Sequence, residues 1–125
     1  MSVTEANINN FDDLIQGHQI VFVDFWAPWC GPCKNFAPIF EAASEKYKNV
    51  KFIKINTDVE QELAGSFGIR SIPTVGIFKE QMLLFLEPGF LPEDTLTELI
   101  DKTQEIDMAE VRKQMAEAEA DEKKS

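Results

Sequence analysis

A chain of 125 residues with a formal charge of −10 has room for one domain with one sizeable core, and its 44% of hydrophobic residues, including ten Phe, suit a folded globule. Two cysteines exclude a disulfide-rich scaffold and cannot by themselves complete a four-thiolate zinc site. The excess of acid argues against nucleic acid and against anionic membrane surfaces as partners, because both are bound through Lys and Arg.

In chain order, residues 1–10 are polar and have neither the basic start nor the apolar centre of a secretory signal. No stretch approaches the roughly 18 apolar residues of a membrane span. The expected compartment is a reducing cytoplasm. Phe11 to Gln16 reads as a short helix, capped by Asn9 or Asn10, with Asp12 and Asp13 where the helix dipole favours them. Ile20 to Trp26 is an almost unbroken β-branched and aromatic run, the pattern of a strand buried on both faces. A helix opens at Cys30 and reaches about Lys48, with Phe36, Ile39, Phe40 and Ala43 at helical spacing and Pro38 as an expected kink.

Val50 to Asn56 alternates as a second strand. Glu60 to Phe67 is a short helix closed by Gly68, and Ser71-Ile72-Pro73 is a turn. Thr74 to Phe78 is a third strand, with Met82 to Leu86 as its hairpin partner. Pro92 to about Thr103 is a further helix, with Leu96, Leu99 and Ile100 on one face. Strands joined by helical crossovers pair in parallel and the hairpin adds antiparallel strands, so the fold class is α/β, a mixed sheet with helices on both faces.

Composition shifts after Ile100. Residues 101–125 hold eight acids, five bases and no aromatic residue, Gly or Pro. Met108, Val111, Met115 and Ala118 form a narrow helical stripe there. It reads as a charged helical extension rather than a domain, mostly solvated and frayed at its end, with packing on the domain or weak pairing with a second chain as the alternatives. The rest of the chain, residues 1–100, is the domain, and a monomer is expected.

Trp29-Cys30-Gly31-Pro32-Cys33 carries the strongest chemical signal. Residues i and i+3 share a helix face, so the two sulfurs can reach bonding distance. A thiol at a helix N-terminus meets unpaired N–H groups and the dipole, which favour the thiolate. Pro32 suits the first turn, where its missing N–H is no loss, and it stiffens the loop. Gly31 lets a substrate backbone come close. Two structural cysteines, or half of a metal site shared between chains, are the alternatives. Asp24 stands inside Val23-Asp24-Phe25-Trp26, a run that otherwise excludes charge. Buried there, its carboxyl would hold its proton to higher pH and could exchange protons with the inner sulfur. At a sheet edge it would simply reach water. Ile72-Pro73-Thr74 is by itself an ordinary turn, since few X–Pro bonds are cis. His18, the only histidine, reads as a surface residue, and Lys34 and Arg70 flank the cysteine site.

Together Val23-Asp24-Phe25-Trp26-Ala27-Pro28-Trp29-Cys30-Gly31-Pro32-Cys33-Lys34, Pro38 and Gly68-Ile69-Arg70-Ser71-Ile72-Pro73-Thr74 resemble the thioredoxin family, over about Val3 to Ile100. The resemblance implies the thioredoxin fold, a cis peptide before Pro73, Lys54 as the neighbour of the buried Asp24, and Gly89 on a substrate-binding rim. The sequence departs from the family in three places. The turn at Lys79-Glu80-Gln81-Met82 lacks the usual Gly, Leu83 to Leu86 is very apolar for an outer strand, and the tail is an addition.

The expected function is a protein dithiol–disulfide oxidoreductase acting as reductant. Cys30 attacks a substrate disulfide, and Cys33 resolves the mixed disulfide with Asp24, aided by Lys54, taking its proton. Trp29, Gly31, Pro32, Ile72, Pro73 and Gly89 receive the substrate segment. No glycine-rich dinucleotide motif occurs, so no cofactor is expected to be bound, and the resemblance implies electrons from NADPH through a thioredoxin reductase. The rival is a binding or scaffold protein that docks a partner through the hairpin or the C-terminal helix.

Overall fold

A computed structural model describes residues 2–124. Its centre is β2 (Ile20–Trp26), and the strand pairs on both sides. One neighbour is β3 (Lys51–Asn56), in parallel, and the other is β4 (Thr74–Lys79), antiparallel. The outer strands are β1 (Val3–Glu5), parallel to β3, and β5 (Met82–Pro88), antiparallel to β4. The sheet order is therefore β1-β3-β2-β4-β5, the mixed sheet expected. β1 was not expected. Three residues between polar neighbours carry too little periodicity to read as a strand, and only the open edge of β3 gives them backbone partners, Val3 opposite Phe52 and Glu5 opposite Lys54.

The helices are α1 (Phe11–Gln16), α2 (Gly31–Lys46), α3 (Gln61–Ser66), α4 (Glu93–Glu105) and α5 (Met108–Lys124). Alternation along β2 divides the core in two. Ile20 and Phe22 pack with Phe36, Phe40 and Ala43 of α2 and with Leu96 and Ile100 of α4. Val21, Val23 and Phe25 pack on the opposite face with Phe11 and Ile15 of α1 and Leu63 of α3. A strand sandwiched this way buries every side chain from Ile20 to Phe25, with Trp26 partly exposed at its end, which explains the unbroken apolar run, each large buried residue contributing about 1.5–3 kcal/mol. Asp24 keeps the parity of Ile20 and Phe22, so it points toward the α2 side.

Some local expectations change. Asn10 stands at the start of α1 without a side-chain cap bond. Asn7 does the work instead. Its carbonyl accepts from Phe11 N–H at 3.0 Å, and its Oδ1 accepts from the N–H groups of Asn9 and Asn10 at 2.8 and 3.0 Å. α2 runs through Pro38 and ends at Lys46, two residues before the expected stop. The apolar stretch Leu83 to Leu86 is only partly exposed. Phe85 packs on one core, Leu86 on the other, and Leu83 is 39% exposed.

Lys79 had no part in the reading of the sequence beyond the hairpin turn. It is the last residue of β4 and only 4% exposed. Its Nζ donates to the carbonyls of Thr103, Gln104 and Ile106 at 2.8, 3.1 and 2.8 Å. The cation thus caps carbonyls at and just past the end of α4, where Thr103 O also accepts the N–H of Ile106 at 3.3 Å, at the negative pole of that helix. Replacing Lys79 by Met keeps the aliphatic length and removes all three bonds. The variant is expected to lose about 2–3 kcal/mol in urea unfolding, and an unchanged midpoint would contradict this role.

The turn between β4 and β5 is Glu80-Gln81, with φ of 50° and 70°. Neither residue is Gly, so both bear the left-handed penalty. Glu80 is tied down by Arg112 of α5, whose guanidinium lies 2.6 Å from its carboxylate. Gln81 has no such tie and is exposed. Gln81→Gly is expected to raise stability by about 1 kcal/mol in thermal or urea unfolding.

α5 meets the domain at its start. Asp107 Oδ1 caps it, accepting from Ala109 N–H at 3.0 Å, and Met108 is 4% exposed. Val111 is half-buried, whereas Met115 is 46% exposed and Ala118 is exposed. The apolar stripe is used for one turn and then faces solvent. Among the described residues no helix is long and apolar enough to cross a membrane.

Candidate active site

The chain leaves β2 at its C-terminal end, turns through Ala27-Pro28-Trp29 and enters α2 at Cys30. Cys30 has extended backbone angles (φ −86°, ψ 113°), which make it the N-cap, and its Sγ accepts the N–H of Cys33 at 3.2 Å. Pro32 occupies the first turn, where no helical acceptor faces its missing N–H. Cys30 and Cys33 are joined as a disulfide with Cα atoms 5.2 Å apart. The expected contrast between an outer and an inner sulfur is small in this state, with exposures of 4% and 2%. Position distinguishes them instead. Cys30 alone sits at the helix mouth, where N–H groups and the dipole favour negative charge.

The Ile72–Pro73 peptide bond is cis. The Ile72 carbonyl oxygen lies 3.8 Å from Cys30 Sγ, so this loop, at the start of β4, stands against the disulfide. Pro73 O accepts the N–H of Gly89 at 2.8 Å, which brings the end of β5 to the same rim. Gly89 has φ +122°, a conformation that a side chain would strain. Gly31 is exposed and a Cβ there would meet nothing within 4 Å, so the space above it is open. Trp29 is 69% exposed and its Nε1–H donates to both carboxylate oxygens of Asp58, at 3.0 and 3.2 Å. Asp58 was missed from sequence. It follows β3 in a turn where an acid is unremarkable, and only the fold brings it to Trp29.

Behind the disulfide, Asp24, Trp26, Cys33, Lys34, Ala37 and Lys54 line a cleft of about 110 Å³. Asp24 is 3% exposed on the central strand, so the edge-position alternative is excluded. Its carboxyl is pushed up to about 7, chiefly by burial, with the Lys54 ammonium opposing. Parallel pairing sets Lys54 opposite Asp24. The Lys54 Nζ lies 5.4 Å from the centre of the Trp26 ring, a cation–π contact that leaves the lysine half-buried beside the acid. Asp24 Oδ1 and Trp26 Nε1 are buried without hydrogen-bond partners among the described residues. Ala27, Cys30 and Cys33 form a small apolar cluster with Trp26 and Ile72 against it. The ten residues singled out from sequence thus fall into two groups. Asp24, Lys54 and Cys33 meet at the cleft, while Trp29, Cys30, Gly31, Pro32, Ile72, Pro73 and Gly89 lie around the rim. His18 lies apart from both, exposed, with Nδ1 2.9 Å from Leu14 O.

The chain is similar to known proteins over nearly its whole length. The family model described as Thioredoxin matches residues 2–102. A Streptomyces coelicolor protein provisionally named thioredoxin 2 is 46% identical over 119 residues, 95% of this chain and 89% of its own length. A Bacillus subtilis thioredoxin is 43% identical over 104 residues, 82% of this chain and 98% of its own. Among solved structures, a mutant thioredoxin from Halobacterium salinarum superposes with a TM-score of 0.79 at 30% identity, covering 85% of this chain and 94% of that one. Spinach chloroplast thioredoxin f does so with a TM-score of 0.76 at 35% identity, covering 82% and 94%. With relatives matched nearly end to end and a disulfide at a helix mouth beside a cis-proline, the chain belongs to the thioredoxin family of dithiol–disulfide oxidoreductases.

Proposed function

We propose that this chain works as a reductant of disulfides in other proteins, with Cys30 as the attacking sulfur. The seat of Cys30 Sγ at the mouth of α2, accepting the Cys33 N–H, carries this reading, because the same N–H and dipole favour a Cys30 thiolate in the dithiol state. The Cys30 thiolate attacks one substrate sulfur, the substrate S–S bond breaks, and the released thiolate takes a proton from solvent. Cys33 then loses its proton to Asp24 and attacks Cys30 Sγ. The mixed disulfide breaks, the second substrate thiolate leaves and is protonated, and Cys30–Cys33 becomes a disulfide. Two electrons and two protons pass from the dithiol to the substrate.

Asp24 suits its part because a carboxyl that titrates near 7 can accept a proton at neutral pH and release it again. Lys54 is a positioning residue whose charge holds Asp24 from rising further. Trp29, Gly31, Pro32, Ile72, Pro73 and Gly89 form the receiving surface, on which a substrate segment adds as an extended strand. Electrons return from NADPH through a thioredoxin reductase, and the working compartment is a reducing one, the cytoplasm. An insulin-reduction assay with dithiothreitol as electron source tests the reading. Catalysed reduction supports it, and none from the intact chain would sink it.

The proposed division into a domain of residues 1–100 and an extension of residues 101–125 takes support from the family match over 2–102. The bonds from Lys79 reach as far as Ile106, so the informative truncation ends the chain at Asp107. That chain is expected to keep its insulin-reduction rate within about twofold, since α5 contributes no residue to the site. A larger loss at equal folded fraction would give the extension a part in turnover.

A further inference from the structure

A second groove, of about 160 Å³, adjoins the reducing surface and is not used by the reaction. Ile69, Leu86 and Pro88 supply its apolar wall, with Arg70, Ser71 and Thr74 at the polar side. It is continuous in sequence with the proposed receiving surface at three points. Ser71 precedes Ile72, Thr74 follows Pro73, and Pro88 precedes Gly89. At about 160 Å³ it is smaller than the roughly 300–1,000 Å³ of small-molecule sites, and its size suits one amino-acid side chain. The Thr74 hydroxyl is already committed, donating to Ser71 O at 2.6 Å. Arg70 is not. It is exposed and has no acid or hydrogen-bond partner among the described residues, although the chain carries 22 acids against 12 Lys and Arg. Lys48, Lys102 and Arg112 each pair with a carboxylate, and Lys79 is taken by carbonyls.

We infer that this groove is a side-chain subsite for the substrate polypeptide, and that it favours proteins whose cystine lies beside an apolar residue followed by an acid. The inference rests on the reductase reading above. The apolar side chain covers Ile69, Leu86 and Pro88, and the carboxylate pairs with Arg70. Arg70 stands two residues before Ile72, at most about 7 Å of chain, which places the recognised residues two to three positions from the attacked cysteine. The overall negative charge disfavours acidic partners at long range, so the preference is local and depends on where the acid stands.

The test uses pairs of disulfide peptides of identical composition and net charge. One peptide of each pair has Leu and Glu two and three positions from the attacked cysteine, and the other has the Glu moved to its far end. Pairs are made with the motif on either side of the cysteine. The reduced wild-type chain, recycled by dithiothreitol, is expected to reduce the motif peptide of one pair with a kcat/KM about two- to fivefold higher than its partner, the range of one exposed ion pair. Arg70→Gln is expected to bring that ratio to about one. Arg70→Glu is expected to reverse it with these peptides and to restore it when Lys replaces Glu in them. Equal kcat/KM values in every pair, with reduction intact, overturn the subsite and leave the reductase reading standing, as does a preference that persists in Arg70→Gln. A wild-type chain that reduces neither peptides nor insulin overturns both.

Discussion

Cys30→Ser abolishes insulin reduction, with an expected loss of about three orders of magnitude or more, while Cys33→Ser stops turnover with the substrate still attached. The asymmetry follows from position. The thiolate is the nucleophile in disulfide exchange, and a hydroxyl does not ionise near neutral pH. Removing the group that starts the reaction therefore removes the whole sequence of steps. Removing Cys33 leaves the first attack intact, because the mouth of α2 still stabilises a Cys30 thiolate. The mixed disulfide then has no internal sulfur to release it. Intact-mass spectrometry of Cys33→Ser mixed with a disulfide substrate should show the chain carrying one substrate thiol on Cys30. The reverse pattern, with adducts accumulating on Cys33 in Cys30→Ser and none in Cys33→Ser, would exchange the two roles. Both cysteines are nearly buried in the disulfide state, so exposure cannot decide between them and trapping can.

Asp24→Asn is expected to stabilise the protein and slow it. The carboxyl titrates at about 7 in the folded chain against 3.8 when unperturbed. Below about pH 3.8 both folded and unfolded chains hold the proton, and Asp24 has no effect on stability. As pH rises from there, the unfolded chain ionises first and the folded chain keeps its proton, so stability is lost progressively. Above about 7 both are ionised and the deficit is constant. A gap of about three pKa units corresponds to about 4 kcal/mol at most. The variant should therefore gain little in urea unfolding at pH 4 and up to about 4 kcal/mol at pH 8. A gain that does not change with pH would show that burial of the charge is not its origin. Activity should move in the opposite direction. Without a base beside Cys33 the resolving step relies on spontaneous thiol ionisation, so turnover should fall about tenfold near pH 7. The deficit should shrink as pH passes about 8.5, the pKa of a free thiol. Rate and stability would then separate at one residue, as expected where a buried charge is kept for chemistry.

Several elements were legible because the signal is local. The two-faced burial of β2 is written in its uninterrupted apolar run, and the start of α2 in the spacing of Cys30 and Cys33 with Pro32 between them. Asp24 stood out because a charge in that run is either buried at a cost or placed at a sheet edge, and residue types alone left both open. Other elements were hidden because their cause lies elsewhere in the chain. β1 is a strand only because β3 has a free edge. Lys79 looked like a hairpin residue, and its three acceptors lie 24 to 27 residues away. Asp58 finds Trp29 across 29 residues, and Arg112 finds Glu80 across 32. The groove beside Arg70 is built from the loop after α3 and the far end of β5, which no periodicity connects.

By itself, then, the sequence determined the class of sheet, the central strand, the helix that carries the cysteine pair and, through the family resemblance, the reaction. Those features depend on residue types and short spacings, which act within one or two turns of chain. The tertiary structure decided that Asp24 is central rather than at an edge, that Ile72 meets Cys30, that Lys79 closes α4, and that a free cation borders the reducing surface. Each of these depends on which strand lies beside which, and that order is set by the packing of two cores on opposite faces of one sheet.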